Sequence, residues 1–280
     1  MTTPVYGAHE AKAYYVEEST YGVTPTNPSM LGIATAEHVE PALNPSLIKV
    51  RGTGSRDLQT IRKGLRQVEL KIVYNVPSDA PINFLQHVQT LKSLSVEVIY
   101  EKSTGIIDLL HKGCRFNSLS VECSVEGLLK ATAELIGQDV AVGTSKISGA
   151  TYADYSGAVP YYESYVKKGA TTLERVTDFR FAIENNLKRV PVIRTTSGHL
   201  LKYLPERHRD CSGEVTLDFE TKEEFDNVVN DAEFSLEFGL GGTNKVVFSN
   251  CKWESVSPPT RVEDLVSLKA PFVAKTVAIS

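Results

Sequence analysis

Residues 114–142 read CRFNSLSVECSVEGLLKATAELIGQDVAV, and residues 251–279 read CKWESVSPPTRVEDLVSLKAPFVAKTVAI. Aligned without a gap at a shift of 137, they are identical at 9 of 29 positions. The identities include Cys114/Cys251, Ser118/Ser255, Ser120/Ser257, Val125/Val262, Glu126/Glu263 and Leu128/Leu265. Other pairs keep size and polarity, as in Phe116/Trp253 and Leu135/Phe272. A match at one fixed shift is the signature of internal duplication. The sequence therefore predicts two tandem copies of one small domain.

Outward from this stretch, both halves repeat the same order of patterns. In the first, QVELKIVY (67–74) alternates Val68, Leu70 and Ile72 with Glu69 and Lys71, a strand with one polar face. SDAPINFLQHVQTL (78–91) follows as a helix, with Ser78 or Asp79 as cap, Pro81 in the first turn, and Phe84, Val88 and Leu91 on one face. LSVEVIYEK, a turn at 103–108, HKGCRFNSLSV and GLLKATAELIGQ then read as strands. In the second half, VTDFRFAIENNL and GEVTLDFE alternate, with a long loop region between them. TKEEFDNVVNDAE reads as a helix opened by a Thr221–Glu224 capping box, with Phe225, Val228, Val229 and Ala232 on one face. FSLEFGL and KVVFSNCKW form a hairpin around GGTN. The predicted fold is mainly β: two tandem β-sandwiches or partial barrels, each with one flanking α-helix.

The predicted boundaries are an N-terminal arm at 1–33, copy 1 at 34–142, a linker at 143–170 and copy 2 at 171–280. The arm carries Tyr14, Tyr15 and Tyr21, which are costly to leave in water and so point to packing on a neighbouring subunit. RGTGSRD (51–57) is a polar loop containing Arg51 and Arg56.

Composition excludes several classes. A net charge of −4 argues against a protein that grips nucleic acid, which normally carries a basic excess. No apolar run approaches the length of a membrane-spanning helix. The first fifteen residues lack a signal-peptide pattern, so folding in a reducing cytoplasm is expected. Cys114, Cys123, Cys211 and Cys251 read as free, small core hydrophobes, with no CxxC to hold zinc. GLGGTNK (239–245) lacks the Walker spacing and reads as a hairpin turn. Six scattered histidines, His87 among them as a solvated helix residue, nominate no base. Neither an enzyme nor a cofactor or metal site is expected. The remaining feature is the polar strand face: Glu69, Lys71, Glu97, Asp218, Glu220 and Glu237. On an isolated domain such a face is a solvated exterior; on a sheet closed into a ring with its copies it lines a channel.

Three further stretches resemble the major tail tube protein of long-tailed viruses of bacteria or archaea. They are VEESTYGVTPTNP (16–28), the run PYYESYVKKGATTLERVTDFRFAIENNL (160–187) followed by RDCSGEVTLDFE (209–220), and the helix inserted between strands. The resemblance implies a β-sandwich whose sheets join those of neighbours into a barrel, in rings stacked as a tube. Six domain equivalents per ring would need three of these double chains, a homotrimer with pseudo-sixfold symmetry. It implies a virion protein of the viral tail, assembled in the host cytoplasm and used in genome ejection. Implied partners are its own copies, tape-measure, tail-terminator and baseplate proteins, and viral DNA passing without specific binding. An acidic lumen formed by the polar-face residues would repel phosphate and let DNA slide. Contacts between rings would use Tyr14, Tyr15, Tyr21, Arg51 and Arg56, and the linker would cross between domains of one ring. The alternatives are a baseplate hub or tail-tip component and, from another class, a duplicated β-fold ligand-binding module or enzyme.

Overall fold

The strands were located in a computed structural model that describes residues 5–33, 35–78, 83–258 and 266–280. The first half contains β1 (Ala11–Glu17), β2 (Ser29–Gly32), β3 (Ala36–Asn44), β4 (Ile48–Val50), β5 (Thr60–Arg62), β6 (Gln67–Asn75) and α1 (Asn83–Thr90). It continues through β7 (Leu94–Lys102), β8 (Gly105–Ser124), β9 (Lys130–Gly137), β10 (Asp139–Gly143) and β11 (Thr151–Ala153). The second half contains β12 (Ser164–Lys168), β13 (Thr171–Thr172), β14 (Val176–Glu184), β15 (Asp210–Asp218) and α2 (Glu223–Val229). It ends with β16 (Phe234–Leu240), β17 (Lys245–Trp253) and β18 (Ser267–Ile279). The chain is mainly β, as its alternating patterns predict.

All strands but β4 and β5 belong to one sixteen-stranded sheet, which curls into a half-barrel. Two runs of neighbours supply fourteen of its strands, while β10 pairs with β8 and β11 lies parallel to β2. In the first the order is β3-β6-β9-β8-β7-β1-β2, and in the second β14-β15-β18-β17-β16-β12-β13. Every pairing within each run is antiparallel. The registers correspond as well. Phe116 faces Leu135 and Ser120 faces Thr132; Trp253 faces Phe272 and Ser257 faces Lys269, each 137 positions later. The first strand of each run carries a bulge, between Ala36 and His38 in β3 and between Val176 and Asp178 in β14.

The long strand β8 joins the runs. Its first half pairs with β7 and β10, and its second half with β9 and β14. Seven successive residues of β14, from Asp178↔Ser124 to Glu184↔Ser118, form that seam.

The core of the second run is aromatic. Phe238 on β16 lies 5.1 Å, centroid to centroid, from both Phe179 and Phe181 on β14, and 5.9 Å from Phe272 on β18. β16 is thus stacked across the core from β14, the two layers of a sandwich. Phe272 needs a bare backbone opposite it: a Cβ on Gly213 would lie 2.6 Å from its ring and 2.5 Å from the Arg180 carbonyl oxygen. The backbone atom cannot swing away, so Gly213→Ala should destabilise the fold by about 1–3 kcal/mol, read as a lower urea midpoint with unchanged slope.

Several expectations need correction. Tyr14 and Tyr15 are buried within their own chain, because β1 is an interior strand between β2 and β7 and no free arm exists at 11–17. The 143–170 stretch also joins the fold, through β11 alongside β2 and β12 alongside β16. The turn expected at 103–108 is shorter, since β8 begins at Gly105. The capping expected at Ser78–Pro81 falls largely outside the described residues. Glu224 makes no capping box: the N-cap is Lys222, and Glu224 is fully buried against Arg175 at 2.6 Å. Val228 and Val229 are exposed, so the apolar face of α2 is only partly covered. His87 is buried beside the Tyr15 ring, and desolvation lowers its pKa to about 4. The cysteines are free and buried, as small core residues.

Candidate functional site

Residues directly opposite one another in a sheet share a face. One polar row runs Glu40, Lys71, Glu134, Ser118, Glu184, Asp210 across β3, β6, β9, β8, β14 and β15. A second row runs Lys130, Glu122, Arg180, Glu214 over β9, β8, β14 and β15. Between them lie small or neutral residues: Val73, Thr132, Ser120, Ala182, Ser212 and Val273. The rows cross the β8–β14 seam without interruption, so both halves of the chain contribute to one continuous polar surface.

The charges on it are mixed, with acids in excess. Lys71 is 3.6 Å from Glu134, which also accepts a 3.1 Å hydrogen bond from Ser118 Oγ. Glu69 pairs with Arg189, and Arg180 is 3.5 Å from Glu214. A cleft of about 770 Å³ opens on this face, lined by Glu37, Glu122, Asp178, Arg180, Glu214 and Lys269 among others. Partial burial, followed by repulsion from Glu214, raises the pKa of Asp178. Salt-bridged pairs across exposed strands contribute little to stability.

The expected face residues divide among four places. Glu69 and Lys71 on β6 and Asp218 on β15 lie on this surface. Glu220 follows the end of β15 and is exposed. Glu237 stands on β16, across the core, where it accepts a 2.8 Å bond from the Tyr165 hydroxyl and a 3.2 Å bond from Lys245. Glu97 is fully buried, contrary to the exposed position its alternation suggests. Residues 146–153 cover that side of β7, and the Tyr152 hydroxyl donates to Glu97 at 2.8 Å. Of the expected ring-contact residues, Arg51 and Arg56 are exposed around the β4–β5 hairpin. Tyr21 is half-buried, with the Arg115 guanidinium 5.5 Å from its ring.

Glu97 has a carboxyl neighbour, Asp108, which hydrogen-bonds to it. Desolvation first, and then the Glu97 charge, raises the pKa of Asp108 to about 7. A carboxyl whose folded pKa is raised stabilises fully below its unfolded value, near 4, and loses that contribution as pH rises toward 7. Asp108→Asn should therefore gain melting temperature relative to the parent between pH 5 and pH 8, measured by calorimetry in matched buffers. An equal difference at both pH values would contradict this.

Sequence alternation alone did not single out Glu134, Ser118, Glu184, Arg180 or Glu214. The signal was present in SLSVE (118–122) and TDFRFAIE (177–184), but which strands share a sheet face depends on pairing.

A family model described as phage tail tube protein matches residues 8–274. The chain belongs to the phage tail tube protein family. Among solved structures, one chain of the cryo-EM structure of the anti-feeding prophage baseplate, 6-fold symmetrised, is similar at 14% identity. The similarity covers 52% of this chain and 99% of that one, with a TM-score of 0.36, too low to carry an argument. Comparison with curated proteins gives no match. As a phage tail tube protein, the chain is a structural component of a viral tail. None of its described helices is long and apolar enough to cross a membrane.

Proposed function

We propose that this chain is the repeating subunit of the tail tube, that three copies close into a pseudo-sixfold ring, and that stacked rings conduct viral DNA to the host. The observation that supports this best is the β8–β14 seam, where one half of the chain extends the sheet of the other by seven ladder positions. The shared strand order, the registers 137 apart and the common bulge support reading the halves as two copies of one tube domain. On that reading β3 is the counterpart of β14, yet its outer edge is unpaired among the described residues. An open edge invites another strand. Repeating the pairs Glu184↔Ser118 and Ala182↔Ser120 around the ring brings Asn44 opposite Ser255, and Ala42 opposite Ser257, of a neighbouring chain.

The polar rows, Lys71 among them and Glu69 and Asp218 beside them, then face the lumen. Their acidic excess repels phosphate while the paired cations keep the wall from expelling DNA altogether. The Arg51 and Arg56 hairpin is the remaining candidate for contact outside the chain's own ring positions. Assembly with tape-measure, terminator and baseplate proteins, and assembly in the host cytoplasm, go with this role. The chemistry needed is positional, and no catalytic step enters it.

Negative-stain microscopy of purified protein tests the role: long tubes of uniform diameter are expected. Assembly that stops at one ring would favour a baseplate hub, and a lasting monomer would sink the proposal. Charge reversal tests the lumen. Glu134→Lys with Glu184→Lys should leave tubes intact and slow DNA release at least severalfold at low salt, with partial recovery at high salt as screening grows. Unchanged release would remove this face from the lumen.

A further inference from the structure

Within the chain, the connection from β14 to β15 is seated on the end of α1. Asn185 Nδ2 donates to the Val88 carbonyl at 2.9 Å, and Arg209 Nη2 to the Gln89 carbonyl at 3.0 Å. Leu187, Leu201 and Leu204 pack with Leu91 and Ile136 in a small separate core. Leu187 is nearly fully buried in this small core, while the Val88 side chain points into the main core.

The corresponding places in the other half are bare. β3 and β14 occupy spans 140 positions apart. The residues that follow match in backbone conformation: Ser46 has φ 44° and Asn186 φ 49°, both left-handed. Leu91 after α1 and Asp231 after α2 match likewise, at φ 51° and 53°. On this correspondence Leu47 is the counterpart of Leu187, and Val228 that of Val88. Leu47 is nevertheless 52% exposed and Val228 39%, while Val229 is 81% exposed. Ile48, at the start of the β4–β5 hairpin, is exposed too.

From this we infer that the segment opening the β4–β5 hairpin, Leu47 and Ile48, docks on Val228 and Val229 at the end of α2 in a second copy of the chain. The inference rests on the ring reading above and adds a second seam, outside the strand edge. Two apolar patches are exposed where, in the other half, the chain leaving β14 is bonded to the carbonyls at the end of α1, and the backbone turns beside both patches match. The acidic side chains nearest α2 are already engaged, Glu223 with Lys168 and Asp231 with Lys252, both at 2.7 Å. The contact is therefore mainly apolar and should depend little on salt.

Cross-linking tests it in the full chain. The native cysteines are all buried, so new surface thiols report alone. In the Leu47→Cys/Val229→Cys double variant, mild oxidation of assembled protein should give covalent oligomers up to a closed trimer, whereas each single variant should stay monomeric on non-reducing gels. Val228→Asp/Val229→Asp should weaken assembly by about tenfold or more, since two apolar side chains lose their burial. If rings form, yet the double variant does not cross-link and the aspartates leave assembly unchanged, the docking is wrong while the ring reading stands. If sedimentation shows no association of the parent chain at any concentration, both are wrong.

Discussion

Phe238→Ala is expected to lower the stability of the folded chain by about 3–5 kcal/mol. Its ring is fully buried and contacts Phe179, Phe181, Phe248 and Phe272 at centroid separations from 5.1 to 5.9 Å. Two of those partners stand on β14, the strand that also forms the seam with β8. Truncation leaves a cavity between the two layers of the sandwich and removes the packing that holds β14 flat against its neighbours. Chemical unfolding should show the loss as a shifted midpoint. Phe238→Leu, which keeps most of the volume, should cost clearly less. An alanine variant within 1 kcal/mol of the parent would mean that β16 does not close this core.

Arg175→Ala should be comparably damaging, at about 3–5 kcal/mol, for an electrostatic reason. Glu224 is fully buried on α2, and the Arg175 guanidinium 2.6 Å away is its counter-ion. The same guanidinium donates to the Asp218 carbonyl at 3.3 Å, which ties α2 to the end of β15. Removing the cation strands a carboxylate without solvent or charge partner. The decisive comparison is the pair Arg175→Met/Glu224→Leu: replacing both ions with apolar side chains should recover most of the loss. Denaturant titration of the three variants checks this. A double variant as unstable as Arg175→Ala would show that packing, rather than the unpaired charge, dominates.

The sequence carries much of this architecture because alternation with period two is a local property. QVELKIVY, VTDFRFAIE and KVVFSNCKW fall on strands, and their alternate apolar members Val68, Leu70 and Ile72, Phe179, Phe181 and Ile183, and Val246 and Phe248 point into the core. The fixed shift of 137 also has a counterpart in matched ladder registers. Pairing between distant strands is a tertiary fact, and there the reading falls short. Glu97 alternates as an exposed residue should, yet residues 146–153 fold back over it. Tyr14 and Tyr15 read as an arm because 1–33 lacks a sustained period, but β7 supplies the partner that makes β1 a strand. Glu224 fits a capping box in sequence and is held instead by Arg175, 49 positions away. The lumen candidates were chosen strand by strand. Only the cross-strand register separates Glu69, Lys71 and Asp218 from Glu237, which faces the other way across Phe238.

The most direct test of a sheet that runs from one chain into the next is the number of chains in a ring. Native mass spectrometry of short assemblies, with symmetry read from cryo-EM images, supplies it. Three chains per ring, with six similar lobes around the lumen and threefold true symmetry, is the expected result. Six chains per ring, or a ring whose lobes cannot be paired as two per chain, would contradict it.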